Sequence, residues 1–133
     1  MTVLIDTNAL LAYYYSKDVN HTAARQTMRS LNGSMRLVPA PVLTELFFVS
    51  TARVGYERAV RIDAEVRKYF NIVPLAFEDM LRMEAIMNRY LDAEFDYADT
   101  AIMALAERLK ISRVFTFDRR DFTVFRPALT LLP

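Results

Sequence analysis

Short apolar runs alternate with stretches of helical period along this chain, and no other feature restricts its fold as strongly. Val3–Ile5, Met35–Val38, Asn71–Leu75 and Arg113–Phe117 read as strands, and Thr130–Leu132 as a short edge strand. Every gap except the last holds apolar residues three and four apart, the spacing of an amphipathic helix. Strands joined in this way lie parallel, because a parallel pair needs a long crossover rather than a tight turn. The expectation is an open α/β sheet, in which ligands gather outside the carboxyl ends of the strands.

The helices carry their own punctuation. The first begins near Asn8 with Leu10, Leu11 and Tyr14 inward; the second, His21–Leu31, is capped by Asn20 and stopped by a left-handed residue at Asn32-Gly33. Pro41 suits the first turn of a helix running through Glu45 toward Arg53. After Gly55 an amphipathic helix carries Ala59, Ile62, Val66 and Tyr69 or Phe70, and Glu78–Leu91 forms another after the third strand. Clearest is Asp96–Leu109, where Ala98, Ala101, Ile102, Leu105, Ala106 and Leu109 make one apolar face. Asp96 is its expected N-cap, and Asp99 falls in its first turn, where the helix dipole favours negative charge.

Composition narrows the chemistry. A length of 133 residues favours one domain, 1–133, and 53% hydrophobic residues with only 2 Gly supply a core. MTVLIDTN has no basic leader, its apolar run stops at Asp6, and no later stretch reaches membrane length, so the expected location is the cytoplasm. With no Cys and a single His21, disulfides, thiolate nucleophiles and His-rich metal sites are excluded. Any metal must therefore be held by oxygen.

Four carboxylates stand where such oxygens gather. Asp6 follows the first strand, Glu45 lies in the helix after the second, Asp99 opens the helix running antiparallel to the fourth strand, and Asp118 follows that strand. All four fall at one sheet edge. Mg²⁺ and Mn²⁺ are hard ions that prefer carboxylate and water oxygens, and one or two held there suit phosphodiester hydrolysis without a His base or Ser nucleophile. Asp6 and Asp99 are the expected principal ligands, with Glu45 and Asp118 completing the site directly or through water. Thr7, Asn8 and Thr116 are placed to hydrogen-bond the ligands.

The net charge of +1 conceals an uneven distribution. With the four acids set aside, 17 basic residues face 12 acidic ones, a balance of +5 that suits a polyanion approaching an acidic pit, with Arg119 or Arg120 steering its backbone. Taken singly, each acid has a plainer reading: helix cap for Asp6, solvated residue for Glu45, dipole partner for Asp99, turn former for Asp118. Asp92, Glu94, Asp96 and Asp121 read as solvated or capping charges, with Asp121 pairing Arg119, Arg120 or Arg126. His21 reads as a surface residue, and Tyr13-Tyr14-Tyr15 and Phe47-Phe48 as core and subunit contacts.

On these residues the chain resembles PIN-domain ribonucleases, and more narrowly the VapC toxins of type II toxin–antitoxin pairs. The resemblance is carried by Asp6-Thr7-Asn8, by Val42-Leu43-Thr44-Glu45, by Ala98-Asp99-Thr100 through Ala104-Leu105-Ala106-Glu107-Arg108-Leu109, and by Thr116-Phe117-Asp118-Arg119-Arg120-Asp121-Phe122, closing on Leu131-Leu132-Pro133. It implies a three-layer α/β/α sandwich with a mainly parallel sheet, Mg²⁺- or Mn²⁺-dependent endonucleolytic cleavage of RNA, a homodimer, and inhibition by a VapB-like antitoxin, for which the Phe47-Phe48 region offers an apolar groove. Thr100 departs from the Ala more usual after the third acid, and Asp96 adds a charge that either enlarges the site or caps the helix. The alternatives are an RNA-processing PIN nuclease with no antitoxin and a non-catalytic binding or signalling module. A phosphate-accepting receiver is disfavoured because Lys110 precedes its strand rather than following it.

Overall fold

Val3, Leu4 and Ile5 have no solvent exposure and lie in the middle strand of a five-stranded sheet. A strand covered on both faces can be apolar at every position, which is why this run shows no alternation. The computed structural model describes residues 1–133. In chain order the strands are β1 (Thr2–Ile5), β2 (Met35–Pro39), β3 (Asn71–Val73), β4 (Arg113–Phe115) and β5 (Thr130–Leu132). Their spatial order is β3-β2-β1-β4-β5 and every pairing is parallel.

Seven helices flank the sheet: α1 (Thr7–Tyr14), α2 (His21–Ser30), α3 (Ala40–Val54), α4 (Tyr56–Tyr69), α5 (Phe77–Arg89), α6 (Tyr97–Leu109) and α7 (Arg119–Phe125). From β1 the chain steps one way to β2 and β3, then returns past β1 to β4 and β5. With right-handed crossovers, these opposite directions of travel put α1–α4 on one face and α5–α7 on the other. The result is the three-layer α/β/α sandwich that the resemblance implies. The strand order reverses between β1 and β4, and a crevice opens at such a switch point beyond the carboxyl ends.

Helix α6 is the centre of the second layer. Nine consecutive residues, Ala98 to Ala106, are buried, so it is enclosed all round rather than on one stripe. Four alanines allow close approach, while Ile102, Met103 and Leu105 fill space, each worth roughly 2 kcal/mol of burial. Lys110, in the left-handed conformation at φ 55°, ends it.

Asp79 ties α5 to α6. Its buried carboxylate accepts from the Ala76 N–H at 2.8 Å and takes the Arg108 guanidinium in a fork at 2.7 and 2.9 Å. The Arg108 fork is the main cause holding the Asp79 carboxyl below its ordinary value. Because Arg108 remains partly exposed, Asp79→Ala is expected to cost only about 1–2 kcal/mol, mostly from the lost cap, read as a lowered urea midpoint at unchanged slope.

The structure departs from the sequence reading locally. Asn20 makes no side-chain cap on α2; instead the Asp18 carboxylate accepts from the Asn20 N–H at 2.8 Å. His21 is half-buried, its Nδ1 2.7 Å from the Ala12 carbonyl, rather than a surface residue. Phe47 packs edge-to-face on Tyr56, whereas Phe48 is 78% exposed, so that pair divides between packing and surface. Helix α7 lies in the one gap read as irregular. At seven residues it is too short for periodicity to register, and the fully buried Phe122 anchors it.

Candidate metal centre

Asp6 leaves β1 and becomes the N-cap of α1. Its Oδ1 accepts from the Thr7 N–H at 2.7 Å, and its Oδ2 accepts from Thr116 Oγ1 at 2.8 Å and Asn8 Nδ2 at 3.2 Å. Thr116, fully buried just beyond β4, also accepts from the Asp118 N–H at 3.0 Å. Asn8 completes the lacing, because its Oδ1 accepts from the Phe117 N–H at 2.9 Å. Asn8 and Thr116 thus bind the β1 and β4 exits into one unit, as their expected supporting roles require. Thr7 contributes through its backbone, while its buried Oγ1 finds no partner.

Asp99 enters from α6. Asp96, the N-cap, accepts from the Asp99 N–H at 2.8 Å through Oδ1, and its charge also acts on Asp99. Carboxylate oxygens of Asp99, Asp118 and Asp121 lie within 4.8 Å of one another. Asp121 forms no ion pair with Arg119, Arg120 or Arg126, contrary to its reading as a paired surface charge; Arg126 pairs with Glu107 at 3.1 Å instead. Its position three residues after Asp118, on one face of α7, was the available signal, legible only once α7 is known to be a helix.

Glu45 stands apart. Half-exposed on α3, it raises the Asp6 carboxyl by its charge but joins no tight trio; Asp6, expected as a principal ligand, is likewise outside the trio and acts on Asp99 through its charge. It lines a groove of about 590 Å³ beside the acids, together with Pro41, Phe48, Leu75 and Tyr97. Arg119 and Arg120 are exposed next to Asp118.

The electrostatics are those of a cluster of buried and mutually repelling carboxylates. Burial, only partly offset by the bonds from Thr116 and Thr7, pushes Asp6 up to about 6. Burial first, then the charges of Asp6, Asp96, Asp118 and Asp121, pushes Asp99 up to about 9. Asp121 is raised by burial and by Asp118, although Arg120 counters this. None of these acids takes part in a salt bridge. An all-oxygen set with surplus negative charge matches the preference of a hard divalent cation, so the donors fit such an ion.

Comparison with known proteins gives the family. The PIN domain model matches residues 3–126. The sequence is 30% identical over 132 residues to ribonuclease VapC26 of Mycobacterium tuberculosis, covering 94% of this chain and 93% of that protein. The fold is similar to that of VapC20 of Mycobacterium tuberculosis, a toxin that cleaves the sarcin–ricin loop (TM-score 0.83, 19% identity, 95% and 94% of the two chains). It is also similar to VapBC2 of Rickettsia felis, solved on a DNA fragment from its promoter (TM-score 0.76, 13% identity, 98% and 97%). The chain belongs to the PIN-domain family.

Proposed function

We propose that this protein is a metal-dependent endoribonuclease of the cytoplasm, acting as the toxin of a VapBC-type pair. The observation that carries the reading is the clustering of Asp99, Asp118 and Asp121 at the β1/β4 crevice, with Asp6 near enough to act on Asp99 by its charge and none of the four in a salt bridge. The similarity to ribonuclease VapC26 supports RNA as the substrate. Mg²⁺ or Mn²⁺ bound there would activate water and offset charge on the scissile phosphate. Asp99, Asp118 and Asp121 would hold the ion, with Asp6 and Glu45 contributing through water.

The chain's own residues set the conditions. Thr116 and Asn8 fix the Asp6 carboxylate so that it cannot turn away, which keeps the ligands preorganised. Asp118, at the solvent-facing rim, is the acid a phosphodiester meets first. Arg119 and Arg120 flank it and attract the RNA backbone without reading its bases. Two further partners are proposed for the apolar groove around Phe48, Leu75 and Tyr97: a second copy of the chain, and the helix of a VapB-like antitoxin.

RNA cleavage with and without divalent metal tests the activity, and stability against pH tests the site. Asp6 and Asp99 bind their protons more tightly in the folded protein than at the ordinary value of 3.8. Their contribution is therefore complete below about pH 4 and is lost as pH rises through about 6 and then about 9. Metal-free protein should have a higher Tm near pH 5 than near pH 8. Mg²⁺ binds the deprotonated acids, so it should raise Tm at pH 8 far more than at pH 5. A Tm insensitive to Mg²⁺ at pH 8, with no metal-stimulated cleavage, rejects the reading.

A further inference from the structure

Helix α2 buries Ala24, Met28 and Leu31 beside it, while Arg25 and Arg29 stand one turn apart on its outer side. The helix contains no Asp or Glu, so this like-charge pair is not neutralised locally. The contrast is with α4, where Arg61 and Arg67 each meet an acid four residues earlier, at 3.1 and 3.0 Å.

A third arginine, Arg36 of β2, turns toward the same place. Arg25, Arg29 and Arg36 line one hollow of about 230 Å³ together with Tyr13, Met28 and Asn32. None of the three has a carboxylate within ion-pair distance. Glu65 shares the adjoining hollow with Arg36 but makes no ion pair with it. Two of the guanidiniums are braced: Arg36 sits 4.5 Å over the Phe70 ring and donates to the Tyr69 carbonyl at 3.0 Å, and Arg25 lies 5.6 Å over the Tyr13 ring. Bracing lowers the entropy lost when a ligand is held.

Three arginines bordering one hollow, none of them ion-paired, match a phosphate, whose oxygens accept the paired donors of Arg. Arg36 is the second residue of β2, near the amino end of its strand, whereas the acids lie beyond the carboxyl ends, roughly 10–15 Å away along the sheet. We propose that this pocket binds a backbone phosphate of the RNA, forming an anchor separate from the cleavage centre that favours long or folded RNA over short fragments. The choice of RNA as the polyanion rests on the ribonuclease reading above.

The test is fluorescence anisotropy of a labelled stem-loop RNA in EDTA across a KCl series, comparing the unmodified protein with Arg25→Gln/Arg29→Gln and with the charge-matched control Arg61→Gln/Arg67→Gln. The pocket variant should bind roughly tenfold more weakly at low salt, with the slope of log K against log[salt] flattened by about 0.7–0.9, as for one lost phosphate contact. The control should keep both affinity and slope. Unchanged binding by the pocket variant, or equal losses in both variants, overturns the proposal. In a second arm, inorganic phosphate is titrated while Tm is followed. Phosphate stabilisation lost in the pocket variant, with RNA binding unaltered, assigns the pocket to a free anion and overturns the RNA assignment. Cleavage of the same RNA by unmodified protein in Mg²⁺ is scored separately, so failure of the nuclease reading is distinguishable from failure of the anchor.

Discussion

Asp99→Asn should reduce RNA cleavage by at least ~100-fold while making the metal-free protein more stable. Altering a partner of a metal ligand typically costs 10–100-fold, so removing a ligand itself is expected to cost no less. The opposite sign for stability follows from Asp99 being buried, with its carboxyl pushed up to about 9. Near neutral pH the folded protein must either keep a proton that the unfolded chain gives up or carry a buried charge next to Asp6. The isosteric amide does neither, for a gain on the order of 2 kcal/mol. Melting curves at pH 8 with and without Mg²⁺ should cross: the variant melts higher than the unmodified protein without metal and responds little to metal. Cleavage at the unmodified rate, or a variant that is less stable without metal, would remove Asp99 from the centre.

Phe115→Ala should cost about 3–5 kcal/mol, a large part of the stability of an ordinary domain. Phe115 has no exposure and pairs with Ile5 on one side and Leu132 on the other, with its ring 5.7 Å from that of Phe117. Truncation leaves a cavity beneath the switch point. The Phe115 carbonyl also accepts the Asp6 N–H at 2.9 Å, so movement of β4 would carry the Asp6 end of the proposed centre with it, and cleavage should fall at temperatures where the variant is still mostly folded. Urea unfolding should show a lower midpoint at an unchanged slope. Val19→Ala, at a 95% exposed position outside the proposed partner face, is the control and should shift stability by less than about 0.5 kcal/mol. A Phe115→Ala loss below about 1 kcal/mol would mean that the core does not depend on this ring.

Legibility in the sequence followed how local each signal is. The Val3–Ile5 strand and the Asp96–Leu109 helix were readable because an unbroken apolar run and a three-four spacing each report burial within one element. Strand β3 ends at Val73 rather than Leu75, and Pro74, with no N–H for the ladder, gives the reason. The Asp96 cap was readable from the residue type and its position, whereas Asn20, equally suitable by type, was displaced by Asp18 once the turn at residues 16–20 took shape. Asp6, Asp99 and Asp118 could be assigned to one edge because each follows a strand or opens a helix. Asp121 could not, since α7 is too short to announce itself.

The amino-acid sequence alone pointed to a parallel α/β sheet and to oxygen as the ligand of any metal the chain holds, since burial period and side-chain chemistry are written residue by residue. Tertiary structure decided which acids meet: Asp121 closes on Asp99 and Asp118 while Glu45 turns to the neighbouring groove. It also brought Arg25, Arg29 and Arg36 to one hollow. Distances between side chains on different elements depend on strand order and crossover direction, which arise only when the whole core packs and which no single stretch of sequence encodes.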